Sequence, residues 1–194
     1  VNKMPAWFLV ANFLSFQAIW LIAVLAGNGS ALALCVPIIF LHFLLMDRAL
    51  KKHFNWKNEF LLIIACLVIG GGVESFKLLL PIWDSALVGH LPPLWLMTIW
   101  AGFAISLHGS FAFLYKRFAL ASLMGAIFAP LSYLAGAHLS DTYAFVDASF
   151  GVVLIGMVWM VVMPLLVWVA GLLPAQKAQR VQTLTHNASA ISAI

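Results

Sequence analysis

Glu74 and Lys77 stand inside a long apolar run, in the segment GGGVESFKLLL. An ionisable group in such a run is costly to bury, so it is by default a candidate for function, together with whatever neutralises it. At i and i+3 the two side chains share a helical face. Glu74 lies seven residues before Pro81, about 10 Å from the end of its helix at 1.5 Å per residue. Lysine has the reach to snorkel toward that end, leaving the carboxylate less fully paired. Two readings stay open: an ion pair that orients its helix, or a group that carries a proton or meets a polar headgroup. Gly70, Gly71 and Gly72, just before it, permit close backbone approach.

His108 is the second candidate. It falls within the fourth apolar run on the face of Ala101, Ala104 and Ala112, so it is expected to point into protein, where an imidazole needs partners. By helical rise it lies about 20 Å from the end near which Glu74 sits, too far for direct contact. A relay between them would need intervening polar groups. Tyr133 and Ser132, with Asn12 and Gln17, could supply these, or could act as hydrogen-bonded glue between helices. His42 and His138 lie near the ends of their runs and are expected to reach the interface. The sequence has no HExxH, no histidine pair at i and i+4, no clustered carboxylates, no P-loop and no Gly-x-Ser-x-Gly elbow, so it points to no metal and no cofactor. Cys35 and Cys66 sit in apolar runs and read as packing residues.

The elements that must position these side chains are suited to lipid. Of 194 residues, 64% are hydrophobic and 8% charged, against about 25% charged in a soluble domain; the mean hydropathy is +1.07. A crossing takes about 20 apolar residues, and six runs of that order are bounded by charges, prolines and glycines: 6–27, 30–46, 59–80, 94–114, 118–137 and 150–173. The expected fold is all-α, a polytopic transmembrane bundle of about six helices. It forms one domain over residues 1–173, followed by a polar cytoplasmic tail at 174–194. The first run is too long for a signal-peptide core and reads as a retained helix.

The net charge of +4 does not point to nucleic acid, because the basic residues form no stripe with interleaved aromatics. It is a topology signal. With six crossings, Lys3, then Arg48, Lys51, Lys52 and Lys57, then Lys116 and Arg117, then Lys177 and Arg180 all fall on one side; the opposite loops carry Asp84, Asp141 and Asp147. The positive-inside rule then places both termini in the cytoplasm. Gly102, Ser106 and Ser110, and likewise Ala121, Gly125 and Ala129, recur every four residues. These two stripes are expected to face neighbouring helices and, across the short Lys116-Arg117 connection, each other.

Several separated stretches resemble one family. Asn12, Phe16, Gln17 and Trp20 of the first run, GGGVES around Glu74, LPPLWLMTIWAGFA opening the fourth run and GAIFAPLSYLAGA in the fifth together look like the bacterial inner-membrane family catalogued as domain of unknown function 2878. The likeness runs from about Trp7 to the end of the sixth run. Glu74 stands where such proteins would be expected to have aspartate, and Ala129 where they would have glycine. The resemblance implies a multi-pass protein of the bacterial inner membrane without an assigned activity. Such proteins tend to be encoded near enzymes of the cyclopropane-synthase type, which implies membrane lipid as the ligand and a fatty-acyl-modifying enzyme as a partner.

Three function classes remain. A lipid-binding or accessory protein linked to membrane fatty-acyl modification leads. A small-solute or proton-coupled transporter would usually show internal repeats or paired broken helices, and no convincing repeat relates the two halves. A membrane-embedded lipid-modifying enzyme would bring carboxylates or histidines to one depth, whereas the candidates are scattered along the sequence.

Overall fold

The computed structural model describes residues 4–80, 82–83, 91–139 and 144–176. A helical run from Ala6 to Leu50 is broken at Gly27, whose φ of 62° and ψ of −162° lie outside helical space. Glycine takes such a conformation at no steric cost, so the run reverses there into two helices, α1 (Ala6–Gly27) and α2 (Gly29–Leu50). They are followed by α3 (Trp56–Leu78), α4 (Leu94–Leu107), α5 (Phe118–Leu139) and α6 (Ala148–Leu172), with single 3-10 turns at Lys51–His53 and Ala112–Leu114. All but α4 are long and apolar enough to cross a membrane. Over the described residues the protein is an all-α, multi-span membrane protein with six helices.

The two ends of the bundle are stitched by short backbone contacts. At one end the α2–α3 turn meets the chain leaving α6: Asn55 N–H donates to Ala175 O at 2.7 Å, and Asn58 Nδ2 donates to Pro174 O at 3.0 Å. At the other end the segments after α3 and α5 meet, with Val146 N–H donating to Ile82 O at 3.0 Å and Trp83 bridging Phe145. The loops thus alternate between two ends as the basic residues do in the sequence. Lys3, Asp84, Asp141, Tyr143, Lys177, Arg180 and all of the tail beyond Gln176 lie outside the described residues.

The short helix α4 is the centre of the bundle, with ten of its fourteen residues buried; it packs against the α1–α2 unit and α3, while α5 lies along α6. Two expectations are corrected here. The fourth run does not stay helical to Leu114 but ends at Leu107, with His108 as its C-cap. The Ser110 N–H, which would continue the ladder to Ser106, is taken instead by Asn12 Oδ1 at 2.8 Å. Nor do the two small-residue stripes face each other. A Cβ on Gly102 would lie 2.7 Å from Ile19 Cγ2 of α1, and one on Gly125 would lie 2.3 Å from the Trp159 carbonyl oxygen of α6. Residues 108–117 form a succession of turns rather than a two-residue link, enough chain to carry α5 across to α6.

Candidate functional site

The buried face of α3 consists of Glu59, Leu62, Ile63, Cys66, Gly70, Glu74 and Lys77. Their spacing of three and four is that of one helical stripe, here with a carboxylate toward either end. Glu59 and Glu74, fifteen residues apart, are separated by about 22 Å along the helix axis. Each anchors its own network.

At Glu74 the pairing with Lys77 is direct, Nζ to Oε2 at 2.7 Å. Tyr133 of α5 sits between them: its hydroxyl accepts from Lys77 Nζ and donates to Glu74 Oε1, both at 2.5 Å. Trp100 Nε1 of α4 donates to the same oxygen at 3.1 Å. The expected snorkelling of Lys77 does not occur, since the residue is 0% exposed. It lies on the buried stripe, where Glu74 and Tyr133 offer two acceptors, so the ammonium is satisfied without reaching an interface. The carboxylate is correspondingly well paired. Gly70 makes room for this arrangement, because a Cβ there would lie 2.2 Å from Trp100 Cδ2; Gly71 and Gly72 face open space.

The second network centres on Glu59, which is completely buried. His42 Nε2 of α2 lies 2.9 Å from its Oε1, and His108 Nδ1 lies 2.7 Å from its Oε2. His108 Nε2 reaches Ala170 O of α6 at 3.0 Å. Asn12 of α1 completes the set, with Nδ2 donating to Ile105 O at 3.0 Å and lying 3.2 Å from His42 Nδ1. Gly109 leaves space for this amide, since a Cβ there would be 2.2 Å from Asn12 Oδ1.

Donor and acceptor types assign the protons. Ser110 N–H can only donate and Ile105 C=O can only accept, which fixes the Asn12 amide. Its Nδ2–H must then donate to His42 Nδ1, so His42 is the neutral tautomer with its proton on Nε2, donating to Glu59. His108 faces a carboxylate on one nitrogen and a carbonyl on the other. Its Nε2 therefore carries a proton, and one further proton sits in the Glu59–His108 bond. Whichever of the two holds it, the network is neutral as a whole, which is what permits its burial.

Two sequence expectations change here. His42, expected at the interface, is 1% exposed, because Glu59 and Asn12 satisfy both ring nitrogens inside the bundle. Asn12 bridges no path from Glu74 to His108; it belongs wholly to the Glu59 network. Glu59 opens the third apolar run of the sequence, at a helix start where acidic residues are commonplace. The signal that could have found it is the stripe 59, 62, 63, 66, 70, 74, 77. Trp100 is the other member that the sequence does not single out, a tryptophan six residues inside its apolar run.

Between α1 and α5, floored by α4 and α6, lies a cavity of about 600 Å³ lined mainly by aromatic rings, including Phe16, Trp20, Trp95, Phe103, Phe128 and Trp159. Trp100 and Tyr133 also line it, so its wall is tied to the Glu74 network. Phe13, Phe128 and Leu131, among its lining residues, are exposed on the outside of the bundle, so the cavity opens laterally. Gln17 and Ser132 contribute side chains to the lining. Thus Glu74, Lys77 and Tyr133 come together, Asn12 and His108 come together elsewhere, and Gln17 joins neither network. Among the described residues no group of three His, Cys, Asp or Glu is arranged to hold a metal ion.

A family model described as "Protein of unknown function (DUF2878)" matches residues 9–165, from α1 into α6 and well over half of the chain. No curated protein and no solved structure matches the chain.

Proposed function

Given that the chain belongs to the DUF2878 family of proteins of unknown function, we propose that it binds one membrane lipid in the lateral cavity between α1 and α5. In this reading it is an accessory to fatty-acyl modification in the bacterial inner membrane, with both termini cytoplasmic. The observation that carries the reading is the cavity: its volume of about 600 Å³ falls in the usual range for ligand pockets. It runs from Phe13 to Val24 along α1, about 16 Å at helical rise, and its exposed apolar rim admits a ligand from the hydrocarbon region. The two polar networks serve this site by rigidity, because a fully satisfied buried network holds its helices in one arrangement.

Lipid retained by the purified protein tests the reading. Mass spectrometry of protein in mild detergent is expected to find about one tightly held lipid per chain, lost in the cavity-filling variant Ala129→Phe while the protein stays monodisperse. Equal lipid in both would overturn it. The accessory role is tested by the membrane lipid profile with and without the gene, a change in acyl-chain modification being expected. Solute uptake or proton flux in liposomes would instead favour a transporter, and turnover of a lipid by pure protein an enzyme.

A further inference from the structure

Resting on the lipid-binding reading above, we infer that the cavity takes an isoprenoid quinone, a lipid whose polar part is a flat, uncharged ring that lies within the hydrocarbon.

The lining is aromatic rather than aliphatic. Ten of its 21 residues are Phe, Trp or Tyr and only four are Leu, Ile or Val, although aromatic residues make up 13% of the chain. Acyl chains are flexible and pack on aliphatic side chains as readily as on rings, so they give no reason for this excess. A flat conjugated ring does, because aromatic groups gain from offset stacking and edge contacts beyond the area they bury. Three of the lining rings are also held in place. Trp100 Nε1 and the Tyr133 hydroxyl donate to the same oxygen of Glu74, and Trp159 stacks on Trp100 with ring centroids 5.2 Å apart. Walls that need no rearrangement favour a ligand that is itself rigid.

Depth separates a quinone from a glycerolipid. Gln17 lines the cavity on the α1 face that also carries Phe13, Trp20 and Val24. It stands eleven residues after Ala6 and ten before Gly27, about 16 Å from either end of α1 at helical rise. Ser132 lines the cavity from α5. Among the described residues neither side chain has a hydrogen-bond partner. An unpaired amide midway through a hydrocarbon core about 30 Å thick is costly, and a ligand carbonyl at that depth accepts from it. The esters of a glycerolipid stay near the headgroups, about 15 Å from the middle of the core. The ring of a quinone carries two carbonyl acceptors and no charge, so its polar atoms can lie where Gln17 is. The exposed apolar rim at Phe13, Phe128 and Leu131 lets the isoprenoid chain run out into lipid.

The test uses the purified full chain in mild detergent, with Gln17→Leu and Ala129→Phe beside it. Mass spectrometry of the lipid extract is expected to find quinone enriched in the wild type over its share of the membrane extract. Decylubiquinone added to the delipidated wild type should quench its tryptophan emission saturably, and dioleoylglycerol should not reverse the quenching. Gln17→Leu, at an exposed position, should bind decylubiquinone about fivefold more weakly, the effect of one hydrogen bond, and Ala129→Phe should not bind it. Decylubiquinone bound equally by Gln17→Leu, or quenching that does not saturate in the wild type, would overturn the inference. A glycerolipid or fatty acid enriched in place of quinone and displaced by Ala129→Phe would overturn it while leaving the lipid-binding reading intact. Lipid and decylubiquinone that Ala129→Phe leaves in place would remove both.

Discussion

Glu59 and His108, 49 positions apart in the chain, meet at 2.7 Å in the interior of the bundle. Around this contact Asn12 of α1, His42 of α2 and Ala170 of α6 close a chain of hydrogen bonds, so one small network ties α1, α2, α3, the end of α4 and α6. The contact is thus at the centre of one of the two buried polar networks that fasten the helices.

Replacing Glu59 separates shape from hydrogen bonding. Glutamine can accept from His42 and donate to a neutral His108, so Glu59→Gln is expected to cost about 1 kcal/mol. Glu59→Leu strands two imidazoles and is expected to cost about 3–5 kcal/mol. Unfolding in detergent measures both, and a Glu59→Leu variant as stable as the wild type would show that the network contributes nothing.

The proton assignment is directly observable. In protein with ¹⁵N-labelled histidine in lipid nanodiscs, His42 is expected to show a protonated Nε2 and an unprotonated Nδ1, and His108 a protonated Nε2. A protonated His42 Nδ1 would contradict the assigned orientation of Asn12.

The Glu74–Lys77 pair is expected to behave as a coupled unit. Lys77→Met or Glu74→Gln alone leaves a buried group uncompensated and should cost about 3–5 kcal/mol, whereas the double variant should be more stable than either single one. Lipid retention should still fall in the double variant, because Tyr133 and Trp100 lose the carboxylate that holds them in the cavity wall. Additive stability losses would rule out the coupling.

Gly70 and Gly71 are neighbours with opposite expectations. Gly70→Ala drives a methyl group into the Trp100 ring and should cost about 1–3 kcal/mol, with a shift in tryptophan emission. Gly71→Ala meets open space and should be neutral or slightly stabilising, as for glycine replaced within a helix. Equal effects would mean that Trp100 does not lie against α3.

Orientation is tested with single cysteines, since Cys35 and Cys66 are buried. Leu91→Cys and Val146→Cys, at exposed positions, are expected to react with a membrane-impermeant thiol reagent added to intact cells. Ala119→Cys, exposed beside Lys116 and Arg117, is expected to be protected. The reverse pattern would invert the topology.

Six apolar runs of crossing length sufficed to show an all-α membrane bundle, because hydrocarbon forces every span to satisfy its own backbone and leaves that requirement written in composition. Glu74 and Lys77 were legible for the same reason: a charge in an apolar run stands out whatever it touches. The partners were not legible. Glu59 resembled an ordinary first-turn acid and His42 an interfacial histidine until helices far apart in sequence brought them together. The early end of α4 also depended on tertiary structure, since it is Asn12 from α1 that takes the Ser110 N–H. Likewise, local spacing marked Gly102 and Gly125 as contact points, but the path of residues 108–117 decided that one would meet α1 and the other α6. The cavity has no sequence signature, because it is the space left where α1 and α5 stand apart over α4 and α6. Its existence depends on how four helices pack and not on any one of them.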